Sequence, residues 1–209
     1  RMERLRVHGA ERIGCSSADF LSATYAGWSI VTVHKILTQY TGGKVRDILA
    51  KMPSDRKRLL YLADAVTEYT GLAQFPQYLS LLFAVDTLIL NEDRHLSNIA
   101  VLEKDGTFTY CPLFDNGAAF LSAMQFHSLS IDTKALMRVV RACPFQTTFV
   151  HQKRILETEY GKVFHMLRIS EEKLCAFLDP AVAYYPEPLQ PILCERVKTV
   201  LWEQLRRYF

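Results

Sequence analysis

Long apolar runs, basic tracts, paired cysteines and glycine-rich phosphate loops are all missing from this 209-residue chain, and each absence removes a class of function. The longest apolar stretch, Leu79 to Leu90, falls short of the roughly 20 residues of a membrane helix and contains Asp86. The first residues, Arg1-Met2-Glu3-Arg4, lack the apolar core of a signal peptide. The five cysteines (Cys15, Cys111, Cys143, Cys175 and Cys194) are scattered, with no CxxC pair. They read as buried or partly buried free thiols of a reducing cytoplasm, against disulfides or zinc. The net charge is only +3, with Lys and Arg interleaved among Asp and Glu, so neither nucleic acid nor a membrane is an expected partner. The densest basic cluster, Arg56-Lys57-Arg58, reads as a solvated helix face. Position 1 is Arg and not an initiator Met, which reads as a piece of a longer chain.

What is present is a helical pattern interrupted once. Residues 1–30, with Gly9, Gly14, Gly27 and several serines, read as an irregular connecting segment. Val31–Tyr40 and Val45–Met52 read as short helices around Gly42-Gly43. Ser54 is an expected N-cap for a helix over 55–70, and Gly71 its terminator. A second helix, from about Pro76 to Leu90, is apolar on nearly every face and so reads as the buried central helix. The period then switches. Ile99–Leu102 and Thr107–Tyr110 read as a β-hairpin across Lys104-Asp105-Gly106. A loop to about Ile131 comes next. Helices are expected over about 132–142, 145–167, 171–178 with Ser170 as N-cap, and 188–208. Pro180, Pro186, Pro188 and Pro191 read as loop punctuation. The expected fold class is mainly α with one β-hairpin.

The chemistry sits where the period switches, in Asn91-Glu92-Asp93-Arg94-His95-Leu96-Ser97-Asn98 and Phe114-Asp115-Asn116-Gly117. Phosphoryl transfer needs a carboxylate at the attacking hydroxyl and oxygen ligands that hold magnesium on the phosphates. Asp93 and Asn98 have the five-residue spacing of the base and metal-binding Asn in a protein-kinase catalytic loop. Asn98 opens one hairpin strand and Asp115 lies just past the other, so folding returns both to one end. An amide oxygen and a carboxylate there suit Mg2+. The bland reading is a loop rich in Asp and Asn. It does not account for the apolar helix, the hairpin and Asp115 falling in one arrangement.

Asp93-Arg94-His95-x-x-Asn98 followed by Phe114-Asp115 resembles the D-R-H-x-x-N and metal motifs of the bacterial HipA-like serine/threonine kinases. The same D-R-H-x-x-N occurs in phosphoinositide-3/4-kinase-like enzymes. The flanks Leu88-Ile89-Leu90 and Pro112-Leu113, with Asn116-Gly117 where Phe-Gly is usual, resemble the HipA-like group more. The clear resemblance covers about residues 80–121. It implies that 31–209 form the C-terminal lobe of a protein-kinase-like fold. It implies Asp93 as catalytic base, Asn98 and Asp115 as Mg2+ ligands for ATP, and a protein Ser or Thr as acceptor. His95 is assigned to phosphate contact or loop support. The nucleotide-gripping lobe is expected upstream of Arg1, joined through residues 1–30, or supplied as a separate chain. An antitoxin-like protein, of the toxin–antitoxin kind, is a further implied partner.

Other candidates are weaker. The run Gly9 to Cys15-Ser16 imitates a P-loop but carries Cys15 where the phosphate-binding Lys belongs. His8, His34, His127, His151 and His165 lack ligand spacing and read as surface or satisfied core residues. Ser122, Ser128 and Ser130 lie in an activation-like loop with no base at motif distance. Asp86 reads as a structural hydrogen-bonder. Two functional classes remain: a lobe of an active kinase, or a non-catalytic remnant acting as a regulatory binding module. A lipid-kinase fragment is disfavoured by the lack of a basic membrane-facing patch.

Overall fold

A computed structural model describes residues 2–163 and 169–209. Among these residues the chain is mainly helical, with two small antiparallel sheets. The strand content exceeds the single hairpin expected. β1 (Met2–Val7) and β2 (Ala10–Cys15) pair from Met2 opposite Cys15 to Val7 opposite Ala10. The connection, His8-Gly9, has φ of 49° and 81°, the left-handed pair that matches a tight hairpin turn to strand twist. Residues 1–30 are therefore not simply irregular: Gly9 is a turn residue, and charged side chains masked the strand pattern. Asp19 then caps the short α1 (Phe20–Ala23).

The expected helix from Val31 is likewise split. Ser29–Thr32 forms β3, and α2 (Val33–Thr41) starts only after Thr32, whose hydroxyl accepts from the Lys35 N–H at 3.2 Å. The Thr32 hydroxyl both ends the strand and caps the helix. α3 (Val45–Lys51) lies past the Gly42-Gly43 break. In α4 (Asp55–Thr70), Ser54 Oγ accepts from Lys57 N at 3.3 Å, and Gly71 closes the helix at φ 73°. α5 (Phe75–Ile89) carries Pro76 in its first turn, where a missing N–H costs nothing.

β4 (Ala100–Lys104) is the middle strand of the second sheet, between β3 and β5 (Thr107–Tyr110). Its hairpin turns on Asp105-Gly106, with φ of 50° and 77°. The C-terminal part holds α6 (Thr133–Val139), α7 (Phe149–Tyr160), α8 (Glu171–Val182) and α9 (Gln190–Tyr208). The helix expected over 145–167 begins late because an Ala142–Thr147 bridge closes a turn before Thr148, the N-cap. It ends at Gly161, and 164–168, with His165, lie outside the described residues. Pro180 is inside α8, not in the loop expected.

α5 is the core element, as expected. Leu79, Leu82, Phe83 and Leu88 are all buried, each contributing about 1.5–3 kcal/mol. It packs between α4, α7 and α9. Among the described residues no helix is long and apolar enough to cross a membrane. All five thiols are free, and Cys15 is exposed rather than buried, since it ends an edge strand. Of the basic cluster, Arg58 is half-buried. It donates to the Leu49 and Met52 carbonyls, pairs with Asp55 at 2.8 Å, and lies over the Phe145 ring.

Candidate functional site

α5 delivers the chain to the site through an unusual cap. Leu90 takes φ 53°, a conformation that normally selects Gly because a β-carbon crowds the backbone. Leu90 is held there by burial in a cluster with Leu121, Leu136 and Val140. The turn carries the chain from an apolar helix directly into Asn91, which is fully buried, and then to Asp93 at the surface.

Arg94 organises the two loops beyond this turn. It is 1% exposed, and its Nε lies 2.9 Å from Asp86 Oδ2, with Nη2 3.0 Å from Oδ1. Nη1 donates to the Asn98 carbonyl at 2.9 Å and to the Phe114 carbonyl at 2.6 Å. Nη2 also donates to Asn116 Oδ1 at 2.6 Å. One guanidinium thus holds together α5, the Asp93–Asn98 loop and the Phe114–Asn116 loop. Asn91 Nδ2 adds bonds to Asp86 Oδ1 at 3.3 Å and to the Asp115 carbonyl at 3.2 Å. Burial raises the Asp86 carboxyl above its ordinary pKa, and the hydrogen bonds and charge of Arg94 oppose that rise. Asp86 is the structural hydrogen-bonder expected. The sequence reading assigns it no partner, although a carboxylate in an apolar helix requires one.

Asn98 is buried, and its Nδ2 donates to the Asp93 carbonyl at 2.9 Å. That bond fixes the amide and leaves Oδ1 as the end available to a ligand. Asp93 is exposed, its side chain 57% accessible. The His95 N–H donates to the Asp93 carbonyl at 2.9 Å, and the His95 carbonyl accepts from Asn98 N at 2.8 Å. The His95 ring is exposed, with Nε2 3.9 Å from Asp93 Oδ2. Its backbone therefore closes the Asp93–Asn98 turn, in keeping with loop support. Asp115 is exposed and adopts φ 52°. Asp tolerates that conformation better than most residues, but it remains a sparsely populated one of the kind found at ligand sites.

The segment after Asp115 is anchored rather than loose. Phe120 N donates to the Ile89 carbonyl at 2.7 Å. Arg196, from α9, donates to the carbonyls of Leu121 at 3.3 Å, His127 at 2.8 Å and Ser128 at 2.7 Å. His127 is buried, with Nε2 2.8 Å from Glu92 Oε1, so the loop is also tied to the residue before Asp93. Ser122 donates to the Gly117 carbonyl, and Ser128 and Ser130 bond each other. The sequence marks neither Arg196 nor His127 for these roles; nothing local to either signals its reach.

Chemically, an exposed carboxylate, an exposed imidazole and the free end of a buried amide share a loop, and the main chain of a second exposed carboxylate, Asp115, is tied in through Asn91. Among the described residues no group of three or more His, Cys, Asp and Glu could hold a metal ion. A cation here would rest on the Asn98 amide oxygen and the Asp115 carboxylate. These are hard oxygen donors of the kind Mg2+ accepts alongside water and phosphate. Compared with protein-family models, curated proteins and solved structures, the chain matches none.

Proposed function

We propose that this chain is the magnesium-binding, catalytic-loop lobe of a protein Ser/Thr kinase resembling the HipA-like group, acting on ATP with a nucleotide-gripping lobe. The observation that carries the reading is Arg94: one buried guanidinium holds the Asn98 and Phe114 carbonyls together, and with them the two loops that bear the candidate ligands. In this reading Asp93, exposed at the loop apex, orients the acceptor hydroxyl and takes its proton. Asn98 and Asp115 hold Mg2+, which when bound neutralises charge on the phosphates. His95 supports the loop through its backbone. Arg94 and Asn91 are positioning residues, since their bonds go to backbone, Asp86 and Asn116.

The test is titration of the chain with a fluorescent ATP analogue, with and without Mg2+, against Asn98→Ala and Asp115→Asn. Mg2+-dependent binding lost in both variants supports the reading. Mg2+-dependent binding unchanged in both removes the assignment. The second reading, a non-catalytic regulatory module, is favoured by the lack of any G-x-G-x-x-G in the sequence. It predicts no Mg2+-dependent nucleotide binding and a partner that binds regardless of Asp93.

A further inference from the structure

The described surface offers a cavity of about 440 Å³ beside Asp93 that the proposed chemistry leaves unused. Its floor is apolar: Val45, Leu49, Leu96 and Phe145. Its lining also includes His34 on α2, Arg46 on α3 and His95 and Ser97 of the candidate loop, with Cys143 opposite. Asp93 is not part of the lining, but its Oδ2 lies 3.9 Å from Nε2 of His95, which is.

The formally charged side chains of the lining itself are both arginines. Arg58, which also lines it, is neutralised by Asp55 and stacked on Phe145. Arg46 is exposed and, among the described residues, has no ion pair or hydrogen bond. The rings of His34 and His95 are exposed as well. An apolar floor beside one unpaired arginine, Arg46, is complementary to a peptide that inserts a large apolar side chain and carries an acidic neighbour.

We infer that this cavity docks the acceptor protein: a large apolar residue sits in the cavity, an adjacent Asp or Glu pairs with Arg46, and the Ser or Thr reaches Asp93. The inference deepens the kinase reading and rests on it for the role of Asp93; the docking itself does not.

The experiment uses the full 209-residue chain and fluorescein-labelled peptides, each with a central Ser, read by anisotropy. One set carries Leu or Phe with Asp or Glu, a second replaces the acid by Lys, and a third replaces the apolar residue by Gly. Two exposed substitutions test the site: Ala50→Trp, which fills the cavity from its lining, and Arg46→Glu. Both lie outside the candidate metal and base set, and an unchanged urea-unfolding midpoint serves as the folding control. The expected result is binding of the apolar–acidic set, weakened tenfold or more by Ala50→Trp. Arg46→Glu should shift preference toward the Lys-bearing set. Equal binding of all three sets, or binding unchanged in Ala50→Trp, overturns the inference. Peptide binding that Ala50→Trp abolishes, in a chain that binds no nucleotide, sustains the docking groove and removes the kinase reading.

Discussion

Replacing Arg94 with Met leaves the Asp86 carboxyl 2% exposed, with no cation beside it. Breaking a buried pair from one side costs about 3–5 kcal/mol, most of it the penalty on the group left behind. The Asn98 and Phe114 carbonyls and Asn116 Oδ1 lose their donor as well, so the upper end of that range is expected. Against a domain stability of roughly 5–15 kcal/mol, the variant should remain measurable or be mostly unfolded. Urea unfolding followed by far-UV circular dichroism gives the midpoint, and the slope shows whether two-state behaviour survives. Arg94→Lys keeps the charge but not the fork that reaches three segments, and should cost about 1–3 kcal/mol. The double variant Asp86→Leu with Arg94→Met leaves no buried charge and should be more stable than Arg94→Met alone. A cost below about 1 kcal/mol for Arg94→Met, or a double variant worse than the sum of its singles, would refute the claim that this pair holds the loops.

Asp115→Gly tests whether that residue is kept for binding. Gly fits φ 52° without a β-carbon, so stability should stay within about 1 kcal/mol of wild type while Mg2+-dependent nucleotide binding is lost; a large drop in the urea midpoint would give Asp115 a structural role instead. Hydrogen bonds from Arg206 and Lys134 hold the Glu203 carboxyl down at about 2 from its ordinary 4.5. A depressed carboxyl adds stability above its unfolded pKa, so that contribution should fade as pH falls from 4.5 toward 2, and Glu203→Gln should flatten that limb of a thermal-melt series. Arg196→Met removes three bonds to the loop after Asp115 and should expose it to limited proteolysis, mapped by mass spectrometry, before global unfolding. Radiolabelled ATP should show little phosphate transfer by this chain alone, since placement of the nucleotide can account for roughly 7–11 kcal/mol of catalysis; robust transfer abolished by Asp93→Asn would show that no further lobe is needed.

Local patterns carry most of the helices. Ser54 and Gly71 bracket α4 as expected, because caps and left-handed terminators are decided within one turn. The Asp105-Gly106 hairpin is equally legible. β1 and β2 are not: their charged residues hide the two-residue period, and only pairing across His8-Gly9 reveals it. β3 is hidden for a related reason. Val31 and Thr32 suit a strand or a helix start, and pairing with β4 decides between them. Pro180 misleads in the other direction: it reads as a loop marker yet lies inside α8.

The candidate site divides along the same line. Asp93, Asn98 and Asp115 are picked out by spacing and the hairpin, and Arg94 joins the main chain beside them at Asn98 and Phe114. Arg94 is legible only as a letter of the motif, because its partners are two main-chain carbonyls, an amide and a carboxylate contributed by three separated segments. Main-chain carbonyls carry no sequence signature, so no pattern search finds a clamp made of them. One step is nevertheless open from sequence alone. A buried carboxylate in an apolar helix obliges a cation nearby, and after Asp86 the next cation along the chain is Arg94. An arginine used that way cannot also face solvent or substrate, which separates Arg94 from Asp93 and His95 although all three are adjacent. Burial bears out the division: Arg94 is 1% exposed, whereas the side chains of Asp93 and His95 are 57% and 47% accessible. Substitutions at Arg94 should therefore act on folding and on the alignment of both loops. Those at Asp93 should act on chemistry with the fold intact, so unfolding and turnover measured on the same variants would separate the two.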